Sequence, residues 1–69
     1  MADSVYKVVE LIGVSSESWQ RAAQVAVQRA SQTLRDIRIA EVVEQDVKIE
    51  EGQITFYRVK LRLSFKYEG

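Results

Sequence analysis

Hydrophobic and polar positions alternate in three stretches of the chain, and in one they recur every three to four residues. Val5 to Ile12 is rich in β-branched and aromatic side chains, with Val5, Lys7, Val9 and Leu11 on one face and Tyr6, Val8, Glu10 and Ile12 on the other. Both faces are largely apolar, which predicts a strand covered on both sides or placed centrally in a sheet. Gly13 ends this run, and either Ser15 or Ser16 supplies a helix N-cap, with Glu17 in the first turn where the helix dipole favours an anion. From Trp19, apolar residues fall at Ala22, Ala23, Ala26, Val27, Ala30 and Leu34, one stripe down a helix of about five turns. The stripe is mostly alanine, so the helix can lie close on a sheet. Its other face carries Gln20, Arg21, Gln24, Gln28, Arg29, Gln32 and Arg35, a surface open to solvent or shared with a neighbouring copy.

Ile37 to Ile49 reads as a long strand, with Ile39, Glu41, Val43, Gln45, Val47 and Ile49 facing one way and Ala40, Val42, Glu44, Asp46 and Lys48 the other. Glu50 to Gln53 turns the chain, with Gly52 free to take positive φ, and Ile54 to Tyr67 returns as the third strand. Tyr57, Val59, Leu61, Leu63, Phe65 and Tyr67 form its apolar face, and Arg58, Lys60, Arg62, Ser64 and Lys66 the opposite one. If Glu51-Gly52 is a two-residue hairpin loop, Gln45 lies opposite Arg58, Val43 opposite Lys60 and Glu41 opposite Arg62. That register also sets Ala40, Val42, Leu61 and Leu63 under the alanine stripe. The expected fold is α+β: a β-α-β-β unit in which one helix covers a three-stranded antiparallel sheet.

The second face of such a sheet has no cover of its own, and it carries Ile39, Val43, Val47, Ile49, Ile54 and Phe56. The two long strands also overhang the helix. Exposed apolar area combined with free strand edges predicts an obligate homo-oligomer.

Composition narrows the chemistry. Sixty-nine residues make one domain, expected to run over 1–69, whose own core is marginal. With no Cys and no His, zinc-finger sites, disulfides, thiol nucleophiles and imidazole bases are excluded together, and no catalytic constellation stands out, so no enzyme is expected. Ten basic against ten acidic side chains argue against nucleic acid as a partner. No apolar run approaches the roughly 18 residues of a membrane span. Met1-Ala2-Asp3-Ser4 opens no secretory signal, so a cytoplasmic location is expected.

Tyr6-Lys7-Val8-Val9-Glu10 with Leu11-Ile12-Gly13, Ser15-Ser16-Glu17-Ser18-Trp19, Gln28-Arg29-Ala30, Glu41-Val42-Val43-Glu44-Gln45 and Val59 to Phe65 together resemble a dodecin, in this order and over nearly the whole chain. The resemblance implies a hollow shell of twelve copies, so that the main partner is the chain itself. It also implies a flavin pocket at positions equivalent to Ile39, Gln45 and Arg58. Flavin-binding dodecins carry a Trp where Ile39 stands and a Gln where Arg58 stands. An aliphatic side chain cannot supply the ring stacking, worth about 0.5–1.5 kcal/mol per aromatic pair beyond area burial, so flavin binding is expected to be weakened or lost. Trp19 instead matches a packing residue at the helix start. The Trp-less branch, some of whose members bind calcium, resembles the chain more closely, which makes Glu44 and Asp46 candidate calcium ligands. Glu41, Arg62, Val43 and Lys60 are the expected subunit contacts. The functional expectation is storage or binding of a small ligand or ion in the shell. The alternatives are a flavin-binding dodecin that stores FMN or riboflavin, and a structural assembly protein with no ligand.

Overall fold

A computed structural model of the chain describes residues 3–67; Met1 and Ala2, part of the segment considered for a leader, lie outside them. The elements run β1 (Tyr6–Ser15), α1 (Trp19–Ala30), β2 (Ile37–Glu50) and β3 (Gln53–Lys66). They form the expected three-stranded antiparallel sheet with one helix, in the order β1-β3-β2. The central strand is therefore β3, and β1 is an edge, despite its two apolar faces. Among the described residues no helix is long and apolar enough to cross a membrane.

The core forms where the alanine stripe meets the apolar face of β3. Ala22, Ala26 and Ala30 are buried against Val59, Leu61 and Leu63, with Val9, Leu11, Ala23, Val27, Leu34 and Ile37 packed around them. Small side chains bring the helix axis close to the sheet, and one residue of β1 makes that approach possible. Gly13 lies inside the strand, paired with Val59, rather than ending it. A Cβ at Gly13 would collide with the backbone oxygen of Ala22 and fall 3.0 Å from the Ala26 Cβ. The glycine that looks like punctuation in the sequence is a helix seat.

The helix packs on β1 and β3 and meets β2 chiefly at its start, through Trp19. Ala40 and Val42, expected under the stripe, are exposed, Val42 by 53%. The helix is also shorter than its periodicity suggests. Its N-cap is Ser18, not Ser15 or Ser16: the Ser18 backbone is extended and its Oγ accepts from the Arg21 N–H at 3.0 Å. Ser15 Oγ instead accepts from the Glu17 N–H at 2.9 Å, so Glu17 precedes the helix. At the other end the helix stops at Ala30. Ser31 and Thr33 are residues whose side chains compete with helical backbone bonding, and the Thr33 hydroxyl donates to the Ala30 carbonyl. Leu34 still reaches the core, through a turn held by its N–H to Ala30 O at 2.8 Å.

The β2–β3 turn matches expectation. Glu50 pairs with Gln53, and Glu51 and Gly52 take φ of 52° and 78°, the positive values that a type I′ turn requires at both central residues. Beyond it the register differs from a uniform ladder. Shifts fall between Lys48 and Ile49, between Val42 and Glu44, and between Ile37 and Ile39, where Thr55, Val43 and Arg38 respectively are left without a partner. Asp46 consequently faces Arg58, Glu44 faces Lys60 and Gln45 faces Val59, which corrects the expected Gln45–Arg58 and Val43–Lys60 pairs. Glu41 does face Arg62. Val47, expected on the open face, sits opposite Tyr57 and is half-buried.

Replacing Gly13 by Ala is expected to destabilise the protein by about 1–3 kcal/mol, the usual cost of forcing atoms into a packed contact. Denaturant unfolding at fixed protein concentration measures this; a change under about 0.5 kcal/mol would show that the seat is not tight.

Candidate functional site

The sheet face turned away from α1 is a charged stripe with apolar flanks. Alternation along β3 presents Arg58, Lys60 and Arg62 on it, and the shifted register brings Asp46, Glu44 and Glu41 of β2 directly across from them. On the other side β1 contributes Val14, Ile12 and Glu10 opposite the same three cations. Four carboxylates and three cations thus share one surface of a single chain.

The pairs on it are specific. Arg58 holds Asp46 in a two-pronged bond, Nε to Oδ1 at 2.7 Å and an Nη to Oδ2 at 2.9 Å. Arg62 bridges both edge strands, donating to Glu10 at 3.0 Å and to Glu41 at 3.5 Å. Lys60 lies 4.0 Å from Glu10. All these groups are exposed, so solvent screens each pair and each contributes little to stability. Their effect is to fix which charges remain available. Glu44 enters none of the ion pairs among the described residues.

Hydrogen bonds from Arg58 hold the Asp46 carboxyl below its ordinary range; partial desolvation opposes this and the guanidinium charge adds to it. The Arg58 guanidinium is correspondingly raised, first by the same hydrogen bonds. Ile12, Glu44, Asp46, Arg58 and Lys60 line a hollow of about 210 Å³ at this point. The candidate metal ligands Glu44 and Asp46 therefore do share a pocket, but both oxygens of Asp46 are engaged. Among the described residues no group of three or more Asp or Glu converges to hold a metal ion.

The three flavin-equivalent positions do not meet within the chain. Ile39 faces Ser64 and Arg58 faces Asp46, six residues further along β3, a separation of about 20 Å. Gln45 lies opposite Val59, so it shares the helix side of the sheet and not the face of Arg58. It lines a separate hollow of about 150 Å³ with Trp19, Gln20, Ala23, Val42 and Val59. Ile39 is 63% exposed.

Two residues matter more than their sequence context suggests. Trp19 donates its indole N–H to the Asp46 carbonyl at 3.1 Å and packs edge-on to Tyr57, centroids 5.3 Å apart, tying the helix start to the strand that carries the acidic pair. Glu10 joins Arg62 and Lys60. Its signal was present: it is the one charge on an otherwise apolar strand face.

The Dodecin family matches residues 5–68. The chain belongs to the dodecin family. Calcium dodecin of Mycobacterium tuberculosis is 55% identical to it over 64 residues, which cover 91% of this chain and 89% of that protein. Dodecin of Thermus thermophilus is 42% identical over 64 residues, 93% of each. Among solved structures, dodecin from Streptomyces coelicolor superposes with a TM-score of 0.93 at 39% identity, covering 100% of this chain and 99% of that one. The calcium-chelating calcium dodecin of M. tuberculosis, which has a calcium-binding site, superposes with a TM-score of 0.83 at 52% identity over 94% and 93% of the two chains. Within the dodecins, then, the sequence falls with the calcium-dodecin-like branch, as the residues suggested.

The geometry sets the sign of a pH effect. The folded-state titration of Asp46 is lowered, so its pairing contributes stability above the unfolded carboxyl's range and loses it as pH falls through the lowered value. Carboxyl carbon NMR is expected to show Asp46 titrating below the ordinary carboxylate range, and Arg58→Met is expected to return it to that range. Identical titrations in the two proteins would contradict the pairing.

Proposed function

We propose that the chain is a non-enzymatic binding or storage protein that works as a homododecameric shell of single domains spanning 1–69, with calcium as its ligand and with flavin binding lost. The observation that carries this reading is the charged face: Glu44 stands outside the ion pairs beside an Asp46 held by one arginine, on a surface whose apolar flanks seek cover. A hard cation takes six to eight oxygens, more than the two carboxylates that one chain supplies at this hollow, so a complete site draws on neighbouring copies. Similarity to a calcium dodecin supports the choice of ion. Against flavin stand the aliphatic Ile39, which offers no aromatic ring to stack, and the bidentate engagement of Arg58 with Asp46, which ties up its Nε and one Nη.

A site shared between copies links binding to assembly, because the ligand stabilises only the particle. Light scattering is expected to give twelve times the chain mass, and calcium to lower the concentration at which the particle dissociates. Calorimetry is expected to show calcium heat that Glu44→Gln reduces at least about tenfold in affinity, the scale of one charge-assisted contact of about 1.5 kcal/mol or more. Riboflavin fluorescence should stay unquenched. A monomer overturns the shell, no heat in either protein overturns calcium, and strong quenching restores the flavin reading.

A further inference from the structure

The β2–β3 hairpin outruns the rest of the sheet. β1 stops pairing at Ser15 and Tyr57, so β3 from Gln53 to Phe56 and the end of β2 continue as a ribbon of only two strands. A two-stranded ribbon is marginal by itself in water. This one exposes Ile49 by 62%, Ile54 by 52% and Phe56 by 39%, and Ile49 and Ile54 are cross-strand partners. Glu50 and Glu51 cap it, with one cation nearby, Lys48, 3.5 Å from Glu50.

A complementary surface lies between α1 and β1. Two adjoining hollows, of about 330 and 390 Å³, share Leu11 and Arg29 and are otherwise lined mainly by aliphatic groups such as Val9, Val25 and Leu34. Arg29 is the one charged residue lining either hollow, and it enters none of the ion pairs among the described residues. The adjacent edge of β1 pairs with β3 without a register shift, whereas the β2 edge is interrupted at Arg38 and Val43. Bulges and charges make an edge a poor template for further pairing, so the β1 side is the receptive one.

We propose that the hairpin end of one copy seats in the α1–β1 groove of the next, its isoleucines in the hollows and its glutamates on Arg29. The inference rests on the reading of the chain as an assembling protein and names the surfaces that meet. Apolar ribbon matches apolar groove, and an acidic tip matches a lone cation. Because tip and groove are different patches of the same chain, the contact is head to tail, and it stays finite by closing into a ring whose order divides twelve.

The absence of cysteine makes the test clean. A Val25→Cys, Ile54→Cys double variant is expected to give, on mild oxidation, a ladder of covalent multimers that ends at the ring size, while each single variant stays as separate chains. Arg29→Glu is expected to raise the dissociation concentration about tenfold, and adding Glu50→Lys with Glu51→Lys to recover it. Circular dichroism checks that every variant is folded, and the charge-swap recovery cannot come from misfolding. An unmodified chain that runs as a monomer overturns both the assembly and this surface. An assembled particle with no ladder and no response to Arg29→Glu overturns this surface alone.

Discussion

The close contact between α1 and β1, with the Ala22 backbone against Gly13, decides how the rest of the molecule is exposed. A helix seated this deeply over β1 and β3 cannot also cover β2, because a stripe of alanines has no long side chains with which to reach sideways. Among the described residues the buried apolar side chains are correspondingly few: three alanines with Val59, Leu61 and Leu63. A core of six residues is thin for any domain, and chains of this size stand near the limit of independent stability. What the helix leaves aside, namely the exposed residues of β2 such as Ala40 and Val42, the far face of the sheet and the hairpin end, then becomes surface on which assembly can act. The constraint thus runs from one glycine to the quaternary reading.

Much of this was legible in the residues. Strand alternation in β3, the alanine periodicity and the Glu51-Gly52 turn each combine a pattern with a backbone reason, and the structure agrees with them. The places where inference failed share a cause: packing or a bulge overrode a local rule. Gly13 looks like a strand breaker until the helix above it is known. Thr55 and Val43 are bulged without the Gly that would announce it, since β-branched residues ordinarily favour regular strand. The two shifts cancel, which is why Glu41 still meets Arg62 while every pair between them moves by one. That single-residue slip decides the site, because it brings Asp46 and Glu44 onto the face of Arg58 and Lys60 and sends Gln45 to the other.

The resulting face is nearly self-neutralising, and this shapes what it can bind. A carboxylate that accepts two charge-assisted bonds from one guanidinium is pre-oriented but occupied, and a cation in the hollow meets the Arg58 charge beside Asp46. Two arrangements satisfy the electrostatics. Either the ion takes Glu44 and oxygens of other copies while Arg58 stays in place, or Arg58 swings away and finds a new acceptor, for which Glu44 is the neighbour whose charge it already feels. The first needs no rearrangement within the chain and keeps the Trp19 bond to the Asp46 carbonyl, which fixes the strand at that point. It is therefore the less costly arrangement. It is also compatible with a net charge of zero, because the pairs on this face cancel one another and leave Glu44 as the one of its four carboxylates outside them.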